Sequence, residues 1–173
     1  MNAPTPLLAS DGAARPAAPS TTLRAIAIGG AVVGVLDAAD GVVYAGITAG
    51  QNPIQVLQWI ATGALGPSAF EGGLAAAALG AAMHFALAYA FTAAFVIAWS
   101  KVEAIRNHWL VAGAAWGAAV WAFMNLLVLP LSQVPHEFTV ASVLNGVVGH
   151  ALTVGVAAAY VAKRVTGAGG SAR

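Results

Sequence analysis

The sequence predicts an all-α membrane fold: a four-transmembrane-helix bundle with one short interfacial or re-entrant helix between spans 1 and 2. Three observations predict it. Of 173 residues, 60% are hydrophobic and only 8% are charged, against about 25% charged in an average soluble domain. Mean hydropathy is correspondingly +0.81. Four apolar stretches are each about long enough to cross a ~30 Å hydrocarbon core at 1.5 Å per residue. Finally, the seven Lys and Arg residues alternate with those stretches in a way that four spans explain. Charge this sparse excludes an ordinary soluble domain, a disordered chain and a nucleic-acid binder, whose basic face would require far more Lys and Arg. The absence of cysteine excludes disulfides, thiolate metal sites and thiol redox chemistry.

Taken in order, residues 1–22 are rich in Pro, Ala, Ser and Thr, and read as a disordered cytoplasmic tail with no signal-peptide core. The membrane domain follows over residues 23–163. Span 1 covers Leu23–Ala49 and is interrupted by Asp37 and Asp40, with Arg24 placed to snorkel at its start. Gly50-Gln51-Asn52-Pro53 ends it. Asn52 is a good N-cap and Pro53 suits a first helical position, so a short helix is predicted over Pro53–Leu65. Gln51, Gln55, Gln58 and Thr62 recur on it as a polar stripe, with Ile54, Leu57, Ile60 and Ala61 lying away. That pattern, with Trp59, predicts a helix lying in the outer interface over the mouth of the bundle. Gly66-Pro67 breaks it. Span 2 covers Glu71–Trp99, Lys101–His108 is a polar loop, and span 3 covers Trp109–Leu129, stopping at Pro130. A loop with Pro135, His136 and Glu137 precedes span 4, Ala141–Ala162. Residues 164–173 form a Gly-rich flexible cytoplasmic tail.

Positive residues sort helices by side. Arg15 and Arg24 precede span 1, Lys101 and Arg106 join spans 2 and 3, and Lys163, Arg164 and Arg173 follow span 4. None falls in the other two connections, so both termini are expected in the cytoplasm of a bacterial inner-membrane protein, and the Pro53–Leu65 helix on the opposite side.

The spans carry polar groups that lipid would reject: Asp37, Asp40, His84, Asn125 and His150, with Asn145 about two turns further out. Counted from the cytoplasmic ends, the first five lie about 20–25 Å deep, in one layer slightly outward of the midplane. They share faces with small residues: Gly30, Gly34, Gly41 and Ala45 around Asp37; Gly80 and Ala88 around His84; Gly146, Thr153 and Ala157 around His150. A polar group on such a face points into the bundle. An ionised carboxylate at this depth costs several kcal/mol unless paired, protonated or reached by water.

Four uses of this layer compete. It is interhelical glue, fixing helix register through hydrogen bonds each contributing well under about 1 kcal/mol. Or Asp37, Asp40, His84 and His150 form a proton or small-solute path, since His changes charge near neutral pH. Or His84 and His150 are the axial pair of a b-type haem, although the outer half offers no Lys or Arg for its propionates. Or His84, His150 and Asp37 hold a divalent metal. No nucleotide loop, nucleophile elbow or His-Glu-x-x-His motif occurs, so the reading is non-enzymatic and, haem aside, without a cofactor. The expected partners are the lipid bilayer and, through small-residue faces such as Gly30-x-x-x-Gly34 and Gly113-x-x-x-Gly117, a second copy of the chain; nucleic acid is not among them.

The runs Gly50-Gln51-Asn52-Pro53 to Gly66-Pro67-Ser68-Ala69-Phe70, Gly80-Ala81-Ala82-Met83-His84-Phe85 and Phe123-Met124-Asn125 to Leu129-Pro130-Leu131-Ser132 resemble those of uncharacterised small bacterial four-span inner-membrane proteins, with a layout similar to the YagU-like group. The resemblance extends from Gly34 to Ala162. It implies four spans and a bacterial inner membrane, and no activity or catalytic residue.

Overall fold

A computed structural model describes residues 19–135 and 138–168. Most of the expected N-terminal tail (residues 1–18), His136 and Glu137 of the loop before span 4, and residues 169–173 lie outside the described residues. Helix α1 covers Pro19–Ala49, α2 Pro53–Leu65, α3 Gly73–Lys101, α4 Glu103–Asn107, α5 Trp109–Phe123, α6 Val140–His150 and α7 Ala157–Ala168. A 3-10 turn, Gly66–Glu71, joins α2 to α3. Among the described residues two segments are π-helical: Met124–Val128 continues α5, and Ala151–Val156 runs between α6 and α7 so that the three form one long span. No strand occurs among the described residues. Among the described residues four helices are long and apolar enough to cross a membrane: Ser20–Ala49, Gly73–Lys101, Trp109–Val128 and Val140–Gly167. The chain is an integral, multi-pass membrane protein.

Local signals set the short helix. Gly50 ends α1 at φ +64°, and Gly66 ends α2 at the same angle, a region that side chains with a Cβ rarely enter. Between them Asn52 Oδ1 accepts from the Gln55 N–H at 3.0 Å, while Gln55 Oε1 accepts from the Asn52 N–H at 2.9 Å. This reciprocal cap, with Pro53 behind it, starts α2. The polar stripe of α2 does not turn wholly outward as its pattern predicts. Gln58 and Thr62 are buried, whereas Ile54 is exposed. The Gln58 amide reaches the Gly73 carbonyl at 3.0 Å, and the Thr62 hydroxyl donates to the Trp59 carbonyl. A long amide satisfied by an adjacent helix end is as well placed inside as in water. The α2 backbone at Leu57 lies directly against Gly80 of α3, and the Trp59 indole donates to the Pro135 carbonyl at 3.0 Å. Elsewhere the differences from expectation are at boundaries. The Lys101–His108 loop holds one turn of helix, α4; α3 starts at Gly73 rather than Glu71; and α7 runs on through residues expected to begin the C-terminal tail.

Glycine decides how the spans approach. Gly30 and Gly34 of α1 lie under the rings of Tyr89 and Phe85, and Gly146 lies against the Trp121 indole. The closest seam joins α5 to the fourth span: Gly113 and Gly117 meet the backbone of Gly155, His150 and Ala151. Backbones this close need small residues on both sides. The main apolar cluster sits in the part of the bundle nearer the start of α1 and the end of α7. It contains Val33, Phe95, Trp99, Val120 and Val154, with Ala25, Ala158 and Ala162 between the helices. The Phe95 ring lies 6.2 Å from Trp99 and 5.9 Å from Trp116. Past Gly34 on α1, past Val120 on α5 and before Gly149 on the fourth span, no residue of those spans is buried. The polar layer begins where that packing ends.

Candidate functional site: a polar cluster inside the bundle

Asp37 is brought to the fourth span by the turn of α1 that follows Gly34. Its carboxyl lies 2.9 Å from the Thr153 hydroxyl and 3.8 Å from Nδ1 of His150. The Asp37 and His150 side chains are 17% and 24% exposed, so neither has bulk water as its main environment. The Thr153 hydroxyl also lies 2.9 Å from the Gly149 carbonyl. A hydroxyl has one proton and two acceptor positions. With Asp37 ionised, Thr153 donates to the carboxylate. With Asp37 protonated, the carboxyl donates to Thr153, whose own proton goes to Gly149. The pair is hydrogen-bonded in both states.

His84 and His150 differ in how they are held. Nε2 of His84 lies 2.9 Å from the Gly34 carbonyl. A carbonyl can only accept, so that nitrogen carries the proton and Nδ1 of the neutral ring is the acceptor. The Phe85 ring stands edge-on to it at 5.5 Å. Nδ1 of His150, by contrast, is buried without a hydrogen-bond partner. Its 3.8 Å separation from Asp37 exceeds a direct hydrogen bond and suits a bridging water. Asp37, His84 and His150 all line one half-open cavity of about 70 Å³, whose other walls are apolar residues including Val33, Met124 and Val154. That volume holds a few water molecules.

The other expected site residues lie apart from this cavity. Asp40, one turn outward, accepts from the Asn145 amide at 3.4 Å, and its carboxyl rests over Gly149. Asn125 does not line the cavity: its amide donates to the Trp121 carbonyl of its own helix at 2.9 Å, at the mouth of the first π segment. Thr153 and Asn145, which the sequence places on the face of His150 and further out in the layer but not among the site residues, are the partners of the two acids. Their signal was present. Asn145, Gly149 and Thr153 recur every fourth residue, one face opposite Asp37 and Asp40. Both π segments fall at this level. A π turn inserts one residue into the helix and re-aims the side chains around it, a device frequent at functional sites.

The geometry does not fit a haem: Nε2 of His84 is bound to a carbonyl, and about 70 Å³ is far below the roughly 300 Å³ at which small-molecule sites begin. Nor, among the described residues, do three or more His, Asp or Glu side chains come together as a metal site. No family model, curated protein or solved structure matches the chain.

Proposed function

We propose that this is a bacterial inner-membrane protein, with both termini cytoplasmic and α2 on the opposite face, in which Asp37, Thr153 and His150 form a proton site that passes protons through the bundle. One observation carries the reading: a buried ring nitrogen of His150 with no protein partner stands 3.8 Å from a carboxyl group, beside a cavity large enough for a few waters. The Thr153 bridge supports it, because it remains bonded whether Asp37 holds a proton or not. Glue accounts for the bonds from α1 to α3 and to the fourth span. It does not account for a buried ring nitrogen that no protein group bonds, set beside a carboxyl group and a cavity with room for water.

The test is proton flux. The purified chain is reconstituted into vesicles holding a pH-sensitive dye, and a potassium diffusion potential is applied with valinomycin. Faster internal pH change than in protein-free vesicles is expected. Equal rates would overturn the proposal. Orientation has its own test, motivated by seven Lys and Arg residues that all sort to one side. Reporters fused after Ser10 and after Arg173 should both read as cytoplasmic, and a periplasmic signal from either would refute the assignment.

A further inference from the structure

At the end of the bundle opposite the polar layer, two cations lie over aromatic rings. The Lys163 ammonium stands 4.5 Å from the centre of the Trp109 ring, reaching from α7 to the start of α5. One residue on, the Arg164 guanidinium lies 5.1 Å from the Tyr160 ring, one turn back on the same helix. All four side chains, with Gly167, line a single open recess of about 570 Å³, within the roughly 300–1,000 Å³ of small-molecule sites. Positive residues that only fix orientation require no such arrangement, since a freely snorkelling chain serves as well. Here each stem lies along an aromatic ring, so the cations face one volume with aromatic walls at the depth where Trp and Tyr meet lipid headgroups.

We propose that this recess binds the phosphodiester headgroup of an anionic phospholipid. Lys163 and Arg164 supply the charge, Arg164 also supplying a planar pair of donors suited to phosphate oxygens. Trp109 and Tyr160 flank the glycerol backbone, and the acyl chains run down the lipid-exposed Leu110 and Val111 of α5. A headgroup between α5 and α7 would bind the two helices together at that end.

The experiment is native mass spectrometry of the detergent-purified full chain, titrated separately with phosphatidylglycerol, phosphatidylcholine and inorganic phosphate. The parent chain should retain phosphatidylglycerol over phosphatidylcholine by about thirtyfold, the preference expected for two cations near a headgroup. The double variant Lys163→Gln/Arg164→Gln should lose that preference. A Lys101→Gln/Arg24→Gln chain, equally reduced in charge and folded by its melting curve, should keep it. Equal retention of the two lipids by the parent would overturn the proposal, as would a preference that survives in the first variant or disappears in the second. Inorganic phosphate that binds alone and displaces phosphatidylglycerol would overturn the lipid assignment in favour of a free-phosphate site.

Discussion

Gly155→Val is expected to force the third and fourth spans apart. A Cβ at Gly155 would fall inside the contact radius of the Gly113 carbonyl oxygen and 2.6 Å from the Gly117 nitrogen. Both obstacles are backbone, so no rotamer change relieves the clash, and one of the two helices has to shift. Overpacking in a filled core costs about 1–3 kcal/mol even where side chains can adjust. With backbone on both sides, about 3 kcal/mol or more is expected. The measurement is the thermal midpoint and the yield of monodisperse protein in detergent, with Gly41→Ala as control. Gly41 has open space where its Cβ would be, and alanine there should be neutral or stabilising by up to about 1 kcal/mol. A Gly155→Val chain that melts with the parent would contradict the seam.

The second expectation is that the two histidines are not equivalent. His150→Asn, like Asp37→Asn, should reduce proton flux in vesicles to the protein-free level, because each removes a group that binds and releases a proton at the cavity. His84→Asn should leave most of the flux. Its ring is already committed to the Gly34 carbonyl, and its loss should appear as a lower melting point, about 1 kcal/mol for one interhelical hydrogen bond. Flux abolished by His84→Asn and spared by His150→Asn would reverse the roles assigned here. Both chains must first insert and give a single sharp melting transition.

The parts of this fold that were legible in the sequence are those set by local chemistry. Asn52, Pro53 and Gly66 delimit α2 because caps and breakers act over a few residues, and four long apolar runs have few other places to go. The face of α2 was not legible. Gln58 and Thr62 looked like a solvated stripe, and only the position of the Gly73 carbonyl makes the inside satisfactory for them. The π segments left no readable signal, since Met124–Val128 and Ala151–Val156 have ordinary helical compositions; the second packs against α5 and α1, and the first has no buried residue. They are also why depth alone was an imperfect guide. Asn125 shares the level of Asp37 but bonds to its own helix, whereas Thr153, whose hydroxyl is polar but never ionised, is the side chain that reaches the acid. Counting residues gives height along a helix; it does not give rotation past an inserted residue.

The glycine contacts also divide the molecule mechanically. Rings on Gly30 and Gly34 lock α1 to α3, backbone on backbone locks α5 to the fourth span, and the apolar cluster fastens the two halves together towards the start of α1. Towards the other end, α1 meets the fourth span through exchangeable polar bonds at Asp37 and Asp40. The shape is that of a clothes-peg: a sprung end that stays shut and jaws that part for a small cost in hydrogen bonds. Thermal motion should therefore widen the gap at the jaws first, and solvent should reach Asp37 from that side sooner than from the end where α1 begins and α7 ends.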